Sequence, residues 1–361
     1  MTNQQFRPVQ VVIDRTAIKH NLAKIQALAN GAKIIAVIKA DAYGHGLEVV
    51  AKQLKDVDEF AVNSMDDVQR LRVAGIDKPL HLLSALFDGE QLCMMIRQNV
   101  SPVIYDWEQL AILEQLDTEH QLSVWIKVDT GQGRLGFMPE DLPDVIKRVN
   151  ACTAIAKCSL MSHLSYADTP EHPSNQQQLK LFKQLLNKHQ FSRASLLNSG
   201  GLVSFSDATF DCVRPGIMLY GISPTIDKTA VDLGLHAVMT FKSKLLSVKR
   251  MPSGSSIGYG GTYTLDSDSR VGIVACGYGD GYPRHASNGT PVLINGLIVP
   301  LIGRVSMDLL AVDLGELPAE VGDEVILWGA GNPVEEVAKA AGTIAYELCC
   351  GILPRVERVV V

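Results

Sequence analysis

The chain has 361 residues, of which 47% are hydrophobic and 20% are charged, and its formal net charge is −6. This length suits two domains of a globular protein. The acidic balance and the lack of a basic block argue against a nucleic-acid partner. No apolar run approaches the ~18 residues of a membrane span, and the polar start, MTNQQFRPVQ, has no signal-peptide core.

The cysteines predict reduced thiols. There are seven, an odd number, with one vicinal pair, Cys349 and Cys350, and no C-x-x-C spacing. This argues against a disulfide framework and against a metal site. We therefore expect a cytoplasmic protein, and we expect the vicinal pair to be buried in a helix.

Residues 1–224 alternate between predicted strands and helices. A strand at Val9–Asp14 and an amphipathic helix at Arg15–Ala29 come first, and eight strand–helix units follow. This pattern favours a closed (β/α)8 barrel of the TIM type over an open sheet. The predicted barrel strands are Lys33–Lys39, Glu59–Val62, Pro79–Ser84, Ser101–Ile104, Leu122–Val128, Ile155–His163, Ala194–Asn198 and Ile217–Tyr220.

Residues 225–361 have the pattern of a mostly-β C-terminal domain. Apolar, β-branched runs replace the strand–helix alternation, and Asn295-Gly296 lies between two of them, which is a strong hairpin signal. A helical segment is predicted only around Val334–Leu348. The first strand, Val9–Asp14, precedes the barrel and could pair with this second domain.

Lys39 is the first polar side chain after an apolar strand, in the stretch Ala36–Gly46. A lysine at a strand end can be partly desolvated, which lowers its pKa and makes the amine nucleophilic. We therefore expect Lys39 to form a Schiff base with a cofactor. A lysine that points to solvent is the simpler explanation of this residue taken alone.

Other polar residues also follow predicted strands, among them Lys127, His163, Asn198 and Ser199, and Arg214 precedes the last one. Carboxyl strand ends of a barrel share one mouth, where the active site lies and where phosphate binds near strands seven and eight. The segment Gly131–Gly136 also matches G-x-G-x-x-G, but no helix opens directly after it and no acid follows about 20 residues later, so a dinucleotide site is disfavoured.

Nine stretches, in order along the chain, hold most of the polar and glycine-rich residues of interest. They are VIKADAYGHG (37–46), KVDTGQGRLG (127–136), SHLSYAD (162–168), LNSGG (197–201), VRPGIMLYG (213–221), SIGYGGTY (256–263), GYGDGYPR (277–284), GRVSMDLLAVD (303–313) and TIAYELCC (343–350). These stretches resemble motifs of bacterial alanine racemases, which are dimeric pyridoxal-phosphate enzymes with a barrel fold. Because they extend through both predicted domains, the resemblance covers essentially the whole chain.

The resemblance implies that pyridoxal 5′-phosphate is the cofactor and that Lys39 holds it as an internal aldimine. Arg214 would hydrogen-bond the pyridine nitrogen, and His163 would link Arg214 to Tyr259. The phosphate would be bound by hydroxyl groups and backbone amides of Tyr43, Ser199, Gly216, Ile217 and Tyr346.

The resemblance also implies that alanine is racemised by two bases on an external aldimine. Lys39, once freed by substrate, would be the base on the D-face, and Tyr259 of the partner subunit the base on the L-face. Two bases on opposite faces suffice to remove the α-proton and to return one. The active form would be a homodimer with shared sites.

The remaining implied roles concern the substrate. Arg134 would contact the cofactor phenolate and the substrate carboxylate, and the backbone amide of the partner's Met307 would bind that carboxylate. Lys127 matches a lysine that is carbamylated in some family members. Residues of the access channel would be Asp168, Tyr278, Arg284, Arg304 and Ile344.

Three alternatives stay open at this point. The same machinery could serve a broad-specificity amino-acid racemase that acts on serine or lysine. The barrel could instead belong to a non-catalytic pyridoxal-phosphate carrier, although a carrier does not need the second domain, or to a carboxy-lyase. The sequence also leaves open whether D-alanine is supplied for peptidoglycan or broken down.

Overall fold

The structure is a computed structural model that describes residues 7–84, 87–116 and 120–361. The predicted (β/α)8 barrel with a mostly-β C-terminal domain is confirmed. In the described chain, eight parallel strands close the barrel. Strand β1 (Gln10–Ile13) precedes them, and they are β2 (Lys33–Val37), β3 (Glu59–Val62), β4 (Leu80–Leu82), β5 (Val100–Ile104), β6 (Leu122–Lys127), β7 (Ile155–Met161), β8 (Ala194–Asn198) and β9 (Cys212–Arg214).

Helices cover the outside of the barrel. The first begins where Asp14 caps it, because the carboxylate accepts the amide of Thr16 at 2.7 Å, and its apolar stripe, which includes Ile18 and Ile25, is fully buried. The barrel helices are α1 (Arg15–Ala29), α2 (Leu47–Gln53), α3 (Met65–Val73), α4 (Gly89–Arg97), α5 (Trp107–Glu114), α6 (Leu142–Ala151), α7 (Pro173–Lys188) and α8 (Ser199–Ser204).

The prediction of the eighth barrel strand at Ile217–Tyr220 is wrong. The strand is Cys212–Arg214, and Ile217–Tyr220 forms a 3-10 turn after it. The whole turn is buried, and the hydroxyl of Tyr220 donates to the carbonyl of Val37 at 3.2 Å. The apolar run therefore reflects burial at the barrel end and not an extended backbone.

The second domain is built on a mostly antiparallel sheet that includes the first strand of the chain, and in which β13 pairs with both β16 and β10. Strand β1 lies between β10 and β18, antiparallel to the first and parallel to the second. The predicted hairpin at Asn295-Gly296 is confirmed, because β14 and β15 pair directly across it. The elements are β10 (Met239–Met251), β11 (Ser256–Ile257), β12 (Tyr263–Thr264), β13 (Ser269–Val274), β14 (Pro291–Ile294), β15 (Leu297–Ile302), β16 (Leu310–Gly315), β17 (Glu324–Trp328), α9 (Val334–Ala341), α10 (Ala345–Cys350) and β18 (Glu357–Val360).

No helix in the described ranges is both long and apolar enough to cross a membrane. The same ranges hold no group of three or more His, Cys, Asp or Glu side chains that could bind a metal ion.

A buried charge network fills part of the barrel interior. Glu59 of β3 accepts hydrogen bonds from His81 and, at 2.5 Å, from Arg193. The indole of Trp125 donates to Nδ1 of His81 at 3.0 Å, so His81 carries its proton on Nε2. Burial alone would raise the pKa of Glu59, but the two hydrogen bonds outweigh it and lower the pKa to about 2.

We predict that Glu59→Gln destabilises the protein by about 2 kcal/mol near pH 7, because a hydrogen-bonded buried charge is lost. The folded pKa lies below the unfolded value, so the contribution of Glu59 is complete above about pH 4.5 and declines as the pH falls toward 2. The stability difference between wild type and variant, from thermal melts, should therefore stay constant from pH 7 to 5 and shrink below.

The control for this comparison is Glu114→Gln, since Glu114 pairs with Arg148 at the surface. Its effect should stay below about 1 kcal/mol. If both variants lost the same free energy of unfolding, the buried network would not be a special stabilising feature.

Candidate functional site

A cavity of about 490 Å³ opens at the carboxyl ends of the barrel strands, the face that carries the active site in barrels of this kind. Its walls come from the strand ends and from α10 of the second domain. The sequence-predicted residues that line it are Lys39, Tyr43, Lys127, Arg134, His163, Ser199, Arg214, Gly216, Ile217 and Tyr346.

A turn of left-handed helix follows Lys39. Strand β2 ends at Val37, and the residues from Ala40 to Tyr43 have φ between 52° and 54°. A non-glycine residue in this conformation costs roughly 1–2 kcal/mol, so four in succession concentrate strain at the cavity. The turn brings the side chains of both Lys39 and Tyr43 to the cavity wall.

Two sets of contacts stabilise the turn. One carboxylate oxygen of Asp41 accepts the amide of Leu47 at 3.1 Å and Nη2 of Arg70 at 2.8 Å. At the end of the turn, the ring of Tyr43 packs against that of Tyr220 with 4.9 Å between their centroids. The surrounding barrel thus holds a backbone shape that the local sequence would not adopt alone.

The surroundings of Lys39 favour its neutral amine. Burial lowers the pKa of Lys39, and the guanidinium of Arg134 lowers it further. A neutral amine is the form that attacks an aldehyde. The strand predicted to end at Lys39 ends two residues earlier, at Val37, and Lys39 directly precedes the left-handed turn.

Cys350 corrects one expectation. Cys349 is fully buried, but Cys350 is exposed and lines the cavity beside Lys39. The prediction that both are buried is wrong for Cys350, because neighbouring residues of α10 face different directions.

Lys127 and Arg214 are buried cations. They are 8% and 5% exposed, and neither forms an ion pair within the described ranges. Burial first, then Arg134 and Arg214, lower the pKa of Lys127 to about 8, and burial lowers that of Arg214 to about 10. Because an unpaired buried charge is costly, this wall suits an anionic or electron-rich ligand.

Arg214 is fixed by uncharged oxygen atoms. Its Nη1 donates to Oγ of Ser195 at 2.5 Å, and its Nη2 donates to the carbonyls of Ser162 and Leu196. Across the described residues its Nε has no hydrogen-bond partner. The guanidinium can therefore offer a donor to an acceptor in the cavity.

His163 is a neutral imidazole at the same wall. Burial first, then the charges of Arg214, Lys127 and Arg134, hold its pKa well below the ordinary value. The amide of Asn198 donates to its Nε2 at 3.3 Å, which leaves the proton on Nδ1. No hydrogen bond joins His163 to Arg214 in the part of the chain described.

Ser199 and Gly216 form the centre of a polar cradle. Oγ of Ser199 accepts the amide of Gly216 at 2.9 Å. A Cβ on Gly216 would lie 2.5 Å from Oη of Tyr43, so glycine at this position lets the tyrosine hydroxyl approach the backbone. The adjacent 3-10 turn begins at Ile217 and adds its amide.

Tyr346 of α10 closes the cradle from the second domain. Its ring packs against Tyr43 with 5.9 Å between centroids. Burial, then Asp168, raise the pKa of Tyr346 to about 12, so its hydroxyl stays protonated and can donate. Hydroxyl groups and amides that converge in this way form a site suited to a phosphate.

The other predicted residues do not line this cavity. Tyr259 is 72% exposed and Met307 54% exposed, both on the second domain, and Tyr278 and Ile344 also lie at the surface. Arg284 and Arg304 line a separate cavity of about 440 Å³. Asp168 is exposed on a loop near Tyr346. The single chain therefore leaves Tyr259 and Met307 outside its own site.

Sequence reasoning missed part of the cavity lining. Asn63 and Ser84 directly follow or end predicted strands, so the rule that strand ends face the mouth could have found them. Leu135 lies on the glycine-rich loop next to Arg134, the one residue of that loop that the sequence analysis assigns to the site. The missed lining residues include Asn63, Leu83, Ser84, Leu135, Met161 and Cys350.

The donor set fits a molecule that has a phosphate at one end and an aldehyde at the other. The cradle around Ser199 would bind the phosphate, and the amine of Lys39 would meet the aldehyde. Arg214 would face an acceptor on a ring between them. Pyridoxal phosphate has these groups.

Comparisons with known proteins agree with this chemistry. Residues 13–224 match the family described as alanine racemase, N-terminal domain, and residues 238–360 match alanine racemase, C-terminal domain. An alanine racemase of Vibrio parahaemolyticus is 46% identical over 354 residues, which cover 98% of this chain and 99% of that protein.

Solved structures are similar over the same length. The biosynthetic alanine racemase of Pseudomonas aeruginosa superposes with a TM-score of 0.96 at 40% identity, covering 99% of this chain and 100% of that one. The alanine racemase of Bartonella henselae, described with covalently bound pyridoxal phosphate, has a TM-score of 0.90 at 29% identity, covering 98% and 99%.

We predict that inorganic phosphate raises the melting temperature of the cofactor-free protein, because the cradle binds it beside unpaired cations. Ser199→Ala should weaken phosphate binding roughly ten-fold, the loss expected for one hydrogen bond to a charged group. Thermal shift as a function of phosphate concentration measures this.

Chloride at equal ionic strength controls for screening, and Ser243→Ala, a buried serine of the second domain, should keep the phosphate effect. A shift no larger in phosphate than in chloride would rule out the cradle.

Proposed function

Because this chain belongs to the alanine racemase family and is therefore a pyridoxal-phosphate-dependent isomerase, we propose that it interconverts L-alanine and D-alanine in a cavity that a second copy of the chain completes. The observation that carries this proposal is the convergence of Lys39, the phosphate cradle and the unpaired Arg214 on one cavity, while the second predicted base lies exposed elsewhere. Each residue role below belongs to this proposal.

When bound, pyridoxal phosphate supplies an aldehyde that joins an amine and a ring that withdraws electron density from the substrate α-carbon. Lys39 holds the group until substrate arrives. The phosphate is bound by the hydroxyl groups and amides of Tyr43, Ser199, Gly216, Ile217 and Tyr346.

Lys39 is the base on the D-face. Its lowered pKa means that the amine, once free, accepts a proton from the α-carbon and returns it in the reverse direction. The residue touches the reacting atoms in both roles.

Tyr259 of the partner subunit is the base on the L-face. In one chain its side chain is 72% exposed and points into no part of the chain's own cavity, which is the arrangement expected of a residue supplied to a second copy. In the proposed dimer His163 links Arg214 to this base; within one chain no hydrogen bond joins His163 to Arg214 among the described residues. Because His163 is neutral, the positive charge near Tyr259 comes from the arginine.

Arg214 sets the electronic character of the ring. An arginine only donates and does not give up its proton, so the ring nitrogen that it faces stays unprotonated. The ring then withdraws less electron density, which favours return of a proton over transamination.

The substrate carboxylate is bound by two groups, one from each subunit. Arg134, on the loop after β6, lies in the chain's own cavity, and the backbone amide of Met307 comes from the partner subunit. The path to the site is lined by Asp168, Tyr278, Arg284, Arg304 and Ile344.

We also propose a cytoplasmic homodimer that supplies D-alanine for peptidoglycan or breaks it down. All seven cysteines are free thiols, as is usual in a reducing compartment. Tyr259, Met307 and Tyr278 expose apolar surface on one domain, which suits a contact between copies.

The first test is racemisation. Circular dichroism should show that either enantiomer of alanine reaches the racemic mixture, and Lys39→Ala and Tyr259→Phe homodimers should be inactive. Mixed dimers of these two variants should regain activity, since one of their two sites then has both bases. Lys39→Ala alone should also lose the visible absorbance of the bound cofactor.

Inactive mixed dimers would exclude a shared site, and an active monomer in sedimentation would do the same. Tyr263→Phe, in the same segment, is the matched control and should stay active. Faster turnover of lysine or serine than of alanine would contradict the assignment of alanine as the preferred substrate. Release of carbon dioxide would indicate a carboxy-lyase.

The second test concerns Lys127, which we propose is carbamylated. With a pKa of about 8, part of the lysine is neutral near physiological pH. Its Nζ can then bond to the carbon of carbon dioxide and release one proton, which leaves an anionic carbamate near Arg134 and Arg214. This anion would pair with the two guanidinium groups.

In ¹³C-bicarbonate, NMR should show one carbamate signal that grows as the pH rises through about 8. Lys127→Ala should remove the signal and lower activity, and Lys127→Glu should restore part of the activity. Lys147→Ala, which changes an exposed lysine, should keep the signal. A labelled protein without the signal would contradict the proposal.

A further inference from the structure

Two acids and an arginine form a cluster on the second domain that the proposed mechanism does not use. Asp280 is fully buried, and its carboxylate pairs with Nε of Arg355 at 2.8 Å. Nη2 of Arg355 also donates to Asp308 at 2.8 Å. We call Asp280, Asp308 and Arg355 the Arg355 clamp.

The two loops that carry Asp280 and Asp308 are also joined through their backbones. The amide of Tyr278 donates to the carbonyl of Ser306 at 3.0 Å, and the amide of Gly279 donates to the carbonyl of Met307 at 2.8 Å. Nη2 of Arg355 also approaches the Met307 carbonyl, at 3.4 Å. The carbonyls of Ser306 and Met307 are thus both directed toward the Tyr278–Gly279 segment, and that of Met307 also meets Arg355.

This fixes where the amide of Met307 points. The described chain has no cis peptide bond, and in a planar trans peptide the N–H is opposite to the C=O. Because the Ser306 carbonyl points toward Tyr278, the N–H of Met307 points away from that loop. It has no hydrogen-bond partner within the described residues, and the residue is 54% exposed.

Gly279 lets Arg355 approach the loop closely. A Cβ on Gly279 would lie 2.5 Å from Nη2 of Arg355 and 3.0 Å from the carbonyl of Met307. A side chain at position 279 would therefore collide with the guanidinium, which packs closely against this glycine. The segment that carries Arg355 is anchored in turn, because the amide of Leu353 donates to the carbonyl of Asp280 at 3.2 Å.

We propose that Arg355, held by Asp280 and Asp308, is a positioning residue for the carboxylate-binding amide of Met307 that each subunit offers to its partner. The inference rests on the proposed function and deepens it. Arg355 touches neither substrate nor cofactor. It binds Asp280, Asp308 and the carbonyl of Met307, and so holds the two loops against each other. The hydrogen bond between the Tyr278 amide and the Ser306 carbonyl then keeps the N–H of Met307 directed away from these loops. Loss of the clamp should therefore weaken recognition of the substrate carboxylate.

Arg7 provides the matched control. It pairs with the same two carboxylates, Asp280 at 3.0 Å and Asp308 at 3.3 Å, but within the described residues it forms no hydrogen bond to the Met307 carbonyl. A role limited to neutralising the acids would make Arg7 and Arg355 equivalent, whereas a positioning role makes only Arg355 important for substrate binding.

The experiment compares the Arg355→Gln and Arg7→Gln holoenzymes. Arg355→Gln should raise KM for alanine and the inhibition constant of propionate on the order of ten-fold, the value of one hydrogen bond to a charged group. kcat should fall less than kcat/KM, and the cofactor absorbance should not change. Arg7→Gln should leave both constants near wild type, and Arg355→Lys should restore part of the loss.

Mixed dimers then test which subunit's site is affected. When Lys39→Ala is paired with Arg355→Gln, the only live site receives Met307 from a chain with an intact clamp, so KM should be that of wild type. When a chain with both substitutions is paired with wild type, the live site receives Met307 from the altered chain, so KM should be raised.

An unchanged KM and propionate constant in Arg355→Gln, or the same KM in both mixed dimers, would overturn the inference. If Arg355→Gln does not fold, Asp308→Asn decides, since that side chain is 46% exposed and should raise KM in the same direction. Failure of the proposed function is separate: it would appear as a wild-type dimer that does not racemise alanine.

Discussion

Unpaired positive charge at the mouth of the barrel is the constraint on which the candidate site depends. Lys127 and Arg214 are almost fully buried without an acidic partner in the described chain, and Arg134 adds a third charge nearby. Such an arrangement costs stability unless a ligand or a modification compensates it. The lowered pKa values of Lys39, Lys127 and His163 all follow in part from this common field.

The barrel supports these costly features. Below the mouth, Glu59, His81 and Arg193 satisfy one another, so the polar interior is stable where no ligand is needed. Above it, four consecutive left-handed residues bring Lys39 and Tyr43 to one wall. Strain of this kind persists only where surrounding contacts over-determine the backbone, as Asp41 and Arg70 do here.

The second domain contributes to the site in two directions. Through α10 it covers the chain's own cavity with Tyr346, and in the proposed dimer it offers Tyr259 and Met307 to the partner. Strand β1 lies between β10 and β18, so the start of the chain is part of this domain. Arg355 follows α10 in the chain, and the clamp that it forms with Asp280 and Asp308 connects the covering segment with the offered loop.

The sequence by itself predicted the barrel, because eight apolar strands each followed by a helix have few other solutions. It also predicted Lys39, His163 and Ser199 as neighbours, since carboxyl strand ends share one mouth.

The sequence could not predict the left-handed turn at Ala40–Tyr43, because these residues disfavour that conformation locally. The apolar run Ile217–Tyr220 predicts a strand although it forms a 3-10 turn, because burial and extension produce the same pattern. Whether Lys127 meets an acid, and whether Cys350 faces the cavity, depended on contacts between segments far apart in the chain. Local propensity and periodicity determine elements and their order, whereas charge environment and strain arise only when distant segments pack together.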